Sequence, residues 1–398
     1  MKDELKATIC LLFLFTLFNC SKSEPSVRAA PKPDAEIPPS ILKGFVWEET
    51  SLIRISDPDQ PIYNGYARLK QLDDGSLICV YESGGNILAK KSEDSGVSWS
   101  AAILADEKEP ALNMTTPDLI QLQNGSMLLC YGSRPLPDNT DINFRYAIKI
   151  KKSYDKGITW EKEQTIYEAG TNSRVGCWEP SALQLPSGEI QLFFSNEGIY
   201  ALNNDQNISI LRSQDDGATW SEEPEIVSYR EGGRDGMPSP ILLKDTNEIV
   251  FSIEDNHTPK FKPYTIRTTI AENWETIVSG NSSKREYALS DPLAYEVYAG
   301  APYLAQLSSG EVLLSYQGTE DRMGNDLENA EMKVVIGDNQ ARNFRGKSVP
   351  FNLPNDKSGL WNSITVLNDD TIIALTSTSA FSSVNSVEVW AIKGKFVK

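Results

Sequence analysis

Two glutamates, Glu179 and Glu254, stand where a carboxyl group is equipped for acid, base or nucleophilic chemistry. Trp178 and Pro180 flank the first, and Phe251 and Ile253 lead into the second. Apolar neighbours desolvate a carboxyl and can keep it protonated near neutral pH. A pair of such acids held ~5–5.5 Å apart cuts a glycosidic bond with retention, one as nucleophile and one as acid/base. Aromatic faces for sugar C–H surfaces and fixed polar groups for hydroxyls would complete a sugar site. The candidates are Trp178, Tyr316 and Trp361, with Arg68, Arg134, Arg234 and Asp235. A single glutamate is more often solvated or ion-paired, so the reading depends on a fold that gathers these residues.

That fold is written in repeats. Around Ser187-Gly188, alternating apolar residues run up to a tight turn and away from it, the period-2 pattern of a β-hairpin. Similar hairpins begin near Leu69, Leu119, Ile241, Leu304 and Ile364, so successive copies lie about 50 to 63 residues apart. Repeats of that length fit four-stranded propeller blades. Six hairpins predict an all-β, six-bladed β-propeller.

A second motif follows the first three hairpins: Ser92 to Trp99, Ser153 to Trp160 and Ser213 to Trp220, each reading S-x-D-x-G-x-(S/T)-W. These stretches resemble the Asp boxes of sialidase-like propellers. Asp94, Asp155 and Asp215 would accept backbone N–H groups across a turn, the glycine supplies a positive φ, and the tryptophan packs between blades. A catalytic role for these aspartates is the weaker reading. In an antiparallel four-stranded blade the hairpin turns and the Asp boxes share one face. The starts of the inner strands and the ends of the second strands share the other. Tyr66, Arg68, Trp178, Glu179, Arg234, Asp235 and Trp361 are expected at the starts, and Glu82, Arg134, Glu197, Glu254 and Tyr316 at the ends.

At these residues the resemblance sharpens. Trp178-Glu179-Pro180, Phe194-Ser195-Asn196-Glu197, Arg234-Asp235-Gly236-Met237-Pro238 and Phe251-Ser252-Ile253-Glu254 are similar to motifs of glycoside hydrolase family 93. The likeness extends in order from about Tyr63 to Ile392 and includes Trp361-Asn362-Ser363. It implies an exo-α-1,5-L-arabinanase that releases arabinobiose by a retaining mechanism, with Glu179 and Glu254 as the catalytic pair. It implies Trp178, Arg134 and Tyr316 as subsite residues. Which glutamate is the nucleophile stays open, with Glu179 preferred because sialidases also place a functional glutamate at this strand start. The loose match over 260–298 leaves the exact sugar and linkage open.

Two other functions compete. An exo-α-sialidase shares the fold and the Asp boxes but needs three arginines on the sialate carboxylate, and Glu197 stands where one of them is expected. A non-catalytic glycan-binding surface lipoprotein would need the aromatics but not both acids. The lone His257 has no second histidine beside it and reads as loop surface, so no metal or other cofactor is expected. No G-x-S-x-G pattern announces a serine hydrolase.

The remaining composition sets the surroundings. A net charge of −17 and a pI near 4.7 disfavour nucleic acid and polyanions, leaving an oligo- or polysaccharide as the expected partner of a monomer. The run Ile9 to Phe18 has the length of a secretory leader, and Leu17-Phe18-Asn19-Cys20 resembles a bacterial lipoprotein cleavage site. Asn19, Asp3 and Glu4 depart from that pattern. The expected organisation is a leader over 1–19, a Pro-rich tether over 20–43 that starts at a lipidated Cys20, and a propeller over 44–398. The protein would then sit on the bacterial cell envelope, held to a membrane by its lipid alone, or be secreted. Cys79, Cys130 and Cys177 have no paired spacing and are expected as buried thiols.

Overall fold

The computed structural model describes residues 44–58, 61–137 and 141–398. The leader, Cys20 and the tether lie outside the described residues.

Five four- or five-stranded sheets follow one another along the chain, over residues 64–106, 112–168, 177–229, 235–287 and 299–348. Each begins with its innermost strand and works outward by antiparallel pairing, and the third gains a fifth, parallel outer strand, Val278–Ser279, from farther along the chain. The sixth blade contains Leu360–Val366, Ile372–Thr378 and Glu388–Val397, and its outer strand is Gly44–Arg54 from the other end of the described chain. That pairing closes the ring, with Phe45 opposite Phe396 and Trp47 opposite Gly394. The predicted six-bladed propeller is the observed fold.

The core is a set of apolar layers between neighbouring blades. Ile78 and Val80 of blade one pack on Met114 and Leu119 of blade two. Cys130 and Leu128 of blade two pack on Cys177 and Ala182 of blade three. All three thiols are free and buried.

The Asp boxes do the predicted structural work. In the second, Thr159 donates its N–H to Asp155 Oδ1 at 2.8 Å, and Gly157 donates to Ser153 Oγ at 2.8 Å. Such bonds hold the Asp155 and Asp215 carboxyls down at about 2. Trp99, Trp160 and Trp220 each pack into the layer shared with the preceding blade. Lys156 of the second box ion-pairs with Asp74 of the first hairpin turn, so boxes and turns do share a face.

Blades four and five use the same device in altered spelling. Trp274 is buried between Phe193 and Phe251, and its Nε1 donates to Gln191 at 3.0 Å. Phe344 fills the next layer beside a turn in which Asp338 accepts the N–H groups of Gln340 and Arg342, each at 3.0 Å.

Candidate active site

Every inner strand carries a bulge at the same place. Its register with the second strand slips between residues 65 and 68, 115 and 118, 178 and 181, 236 and 239, 300 and 303, and 360 and 363. At each slip one non-glycine residue takes a left-handed φ: Tyr66 (53°), Thr116 (49°), Glu179 (47°), Met237 (54°), Ala301 (46°) and Trp361 (54°). Side chains rarely adopt this conformation, and a bulge in the ladder is what accommodates it. The bulge aims these residues at the propeller axis. Tyr66 and Met237, from opposite blades, meet there with Ala301 and Trp361. Pro117, Pro180, Pro238 and Pro302 follow four of the bulge residues. The innermost strand is a sheet edge, where a missing N–H leaves no ladder partner unsatisfied.

A ring of polar caps supports the bulges. Where the second strand of one blade faces the bulge of the next, a side chain accepts the bulge N–H. Ser377 takes Tyr66 at 3.1 Å, Ser195 takes Met237 at 3.0 Å, Glu254 takes Ala301 at 2.9 Å and Gln317 takes Trp361 at 2.7 Å. Glu82 accepts the Thr116 N–H in the same way.

Glu179 and Glu254 therefore reach the funnel from two different rings. Glu179 is a bulge residue, and Glu254 is a cap. The Glu254 Oε2 is fixed by the Ala301 N–H, and its carboxyl lies against two glycines. A Cβ at Gly236 would stand 3.1 Å from Oε1, and one at Gly300 would stand 2.6 Å from Oε2. Burial, reinforced by the negative charge of Glu179 and opposed by the Ala301 N–H, pushes the Glu254 carboxyl up to about 7.

Burial also raises Glu179, but cations and a hydroxyl oppose it. Arg134 Nη2 lies 3.4 Å from Glu179 Oε1, and the Ser195 hydroxyl that caps Met237 also bonds the Glu179 carboxyl. The Arg134 guanidinium covers the Trp178 ring at 4.7 Å. Trp178 donates Nε1 to Glu197 Oε2 at 3.0 Å, and Glu197 ion-pairs with Arg234. Arg134, Trp178, Glu197 and Arg234 thus form one connected wall beside Glu179. Burial raises the Glu82 carboxyl, and the charge of Arg134 opposes the rise.

Below the mouth the axis is nearly closed. Tyr66, Arg68, Asp118, Glu179, Pro180 and Tyr303 line a cavity there of only about 10 Å³. Arg68 is buried there between the rings of Tyr66, at 3.9 Å, and Tyr303, at 4.8 Å. It donates to the Ala67 and Trp361 carbonyls. Trp361 is half-buried at the rim, 6.3 Å from the Tyr66 ring.

Two expected ligand residues are placed elsewhere. Asp235 has no exposure, and its carboxylate is bound by Arg285 and by the Ser228 hydroxyl. Arg285 also binds Asp255, which Arg230 holds at 2.9 Å. This buried ionic cluster fixes the strands on either side of Glu254. Tyr316 is 1% exposed, in the core between blades four and five, with its hydroxyl on Glu320 at 2.7 Å. His257 is exposed on its loop, as expected. Among the described residues no group of three His, Cys, Asp or Glu side chains is arranged to hold a metal ion, and no helix is long and apolar enough to cross a membrane.

The architecture defines a class, the six-bladed β-propellers. A BNR repeat-like domain matches residues 79–250. Among solved structures, a protein of unknown function from Dyadobacter fermentans superposes with a TM-score of 0.69 at 12% identity, over 89% of this chain and all of that one. The α-L-arabinofuranosidase of Fusarium graminearum, solved with an iminosugar inhibitor, gives 0.63 at 19% identity, over 85% of this chain and 96% of the other. The NanB sialidase of Streptococcus pneumoniae gives 0.59 at 12% identity, over 86% of this chain and 70% of that one. No curated protein matches the sequence. At these identities the likeness concerns the fold, and the Fusarium and Streptococcus proteins are glycoside hydrolases by name.

Proposed function

We propose that the protein is a retaining, exo-acting glycoside hydrolase for a neutral plant-type polysaccharide, with linear α-1,5-L-arabinan as first candidate and arabinobiose as product. The observation that carries this reading is the contrast between two acids at one mouth. Glu254 is pushed up to about 7, while Glu179 is held by Arg134 and Ser195. Paired carboxyls with unlike environments supply an acid and a nucleophile from the same residue type.

In this mechanism protonated Glu254 gives its proton to the leaving glycosidic oxygen as that bond to the anomeric carbon breaks. A Glu179 carboxylate oxygen bonds the same carbon and forms a glycosyl ester. Glu254, now ionised, takes a proton from water, the water oxygen attacks the carbon, and Glu179 leaves as carboxylate. The nearly closed axis beneath Glu179 favours a chain end over a threaded polymer. A sialoside fits less well, because the arginines of the mouth already have partners: Arg134 at Glu179, Arg234 at Glu197, and Arg68 between two tyrosines. A free bidentate clamp for a carboxylate is what that substrate requires.

Product analysis on linear α-1,5-arabinan, a sialoside and a panel of neutral glycans tests the reading, with Glu179→Ala and Glu254→Ala assayed in azide beside the wild type. Arabinobiose from wild type is expected. In azide, Glu254→Ala should yield a glycosyl azide of retained configuration, and Glu179→Ala one of inverted configuration. The opposite stereochemistry would exchange the two roles. Sialic acid as product, or no cleavage of any glycan, would refute the proposal.

A further inference from the structure

The ring of caps has one gap, and it lies beside the proposed nucleophile. The second-strand residues opposite the bulges are Glu82, Gly132, Ser195, Glu254, Gln317 and Ser377, paired with Gly65, Thr115, Trp178, Gly236, Gly300 and Leu360. Five carry an oxygen that accepts the bulge N–H of the following blade. Gly132 carries none. The bulge it faces is Glu179, and among the described residues no side chain accepts the Glu179 N–H.

We propose that Gly132 and the Glu179 N–H form a ligand notch, in which a hydroxyl oxygen of the bound sugar takes the place that a side-chain oxygen fills at the other five bulges. The inference rests on the glycosidase reading of this same mouth. A buried or half-buried backbone N–H needs an acceptor, and the bulge geometry aims this donor at the axis. Strand alternation turns residue 132 toward blade three, as it does Cys130 below and Arg134 above, which pack on Cys177 and reach Glu179 respectively. The ligand is therefore bracketed by the Arg134 guanidinium, the Trp178 ring and the nucleophile's own backbone. A sugar hydroxyl suits this setting because it can accept from the N–H while donating to the adjacent carboxylate. An acceptor-only anion would meet the Glu179 carboxyl at short range.

Glycine also leaves room beside the blade-two bulge. A Cβ at 132 would approach Thr116 Oγ1 to 3.2 Å and Thr115 Oγ1 to 3.3 Å, so any side chain here would crowd the blade-two bulge and project into the gap. Gly132→Ser installs the oxygen that Ser195 and Ser377 supply elsewhere, and Gly132→Ala fills the gap without an acceptor.

The test measures binding of arabino-oligosaccharide by titration calorimetry in the Glu254→Gln background, alone and with each substitution at 132. It is accompanied by backbone amide spectra of Glu179 with and without ligand. Loss of one hydrogen bond predicts binding weakened about tenfold by Gly132→Ser. It also predicts a Glu179 amide that shifts and gains exchange protection when ligand is added. Undiminished binding in both variants, or a Glu179 amide indifferent to a ligand that does bind, would overturn the notch. If neither substitution yields a folded protein, the amide measurement on the Glu254→Gln protein decides alone. Failure of the Glu254→Gln protein to bind any neutral glycan, with wild type inert as well, would instead overturn the glycosidase reading.

Discussion

The carboxyl of Glu254 links the stability of the protein to its pH profile, and Glu254→Gln separates the two. Burial carries this group from an ordinary value of 4.5 to about 7, a rise of about 2.5. At ~1.36 kcal/mol for each pH unit, ionising it in place costs on the order of 3 kcal/mol, and about half of that once its partial contact with water is allowed for. Between about 4.5 and about 7 the folded protein holds a proton that the unfolded chain has released. Stability from this group is thus complete at low pH, declines through that window and is gone above it. The neutral amide of glutamine has no such dependence. Glu254→Gln should therefore equal wild type near pH 4.5 and exceed it by about 1–3 kcal/mol at pH 8, read as a flatter dependence of Tm on pH. Activity should fall about 10²- to 10⁴-fold, the ordinary range for losing a general acid. The alkaline limb of wild-type kcat/KM should bend near the pKa of the same carboxyl. Identical pH–Tm curves for the two proteins would refute the burial argument, and undiminished activity would refute the assignment of the acid.

Two other substitutions probe what holds that carboxyl. Gly300→Ala puts a Cβ 2.6 Å from Glu254 Oε2 and 2.3 Å from the Tyr298 hydroxyl, so a shifted Glu254, at least a tenfold loss of kcat and a displaced alkaline limb are expected. An unchanged pH profile would count against the snug seat. Arg285→Met leaves Asp235 and Asp255 buried without their shared cation. It should cost about 3–5 kcal/mol in denaturant unfolding, the usual penalty for half of a buried pair. A loss under ~1 kcal/mol would mean the cluster is hydrated and does not brace the strands beside Glu254.

How much of this was legible depended on whether the information was local. Hairpin turns and Asp boxes are short-range chemistry, so the six blades and the structural role of Asp94, Asp155 and Asp215 could be read directly. Trp274 and Phe344 carried a fainter version of the signal, an aromatic following the third strand without the surrounding motif. The closing strand Gly44–Arg54 could not be placed, because its partner lies at the opposite end of the chain. Asp235 looked like a ligand residue within Arg234-Asp235-Gly236-Met237-Pro238. Only the fold reveals Arg285, 50 residues on, as its partner. Tyr316 was legible in principle. Aligning the second strands puts Gln317 at the cap position, and strand alternation then turns Tyr316 the other way, into the core.

The same alignment explains why the two proposed catalytic glutamates sit where they do. Six copies of one backbone place six bulge residues and six facing residues around a single axis, and the hydrogen-bonding role of each position is repeated while its side chain varies. A serine or a glutamine at a cap position holds the next bulge, and Ser195 also bonds the Glu179 carboxyl while Gln317 donates to the Tyr298 hydroxyl. A glutamate there holds the bulge with one oxygen and presents the other to the mouth, which is how Glu254 is both anchored and available. Glu82 repeats the arrangement in blade one, where burial raises its carboxyl and Arg134 opposes the rise, whereas burial carries Glu254 up to about 7 with the Glu179 charge adding to it. The fold supplies repeated positions, and burial together with the charges beside each carboxyl distinguishes a brace from the proposed acid.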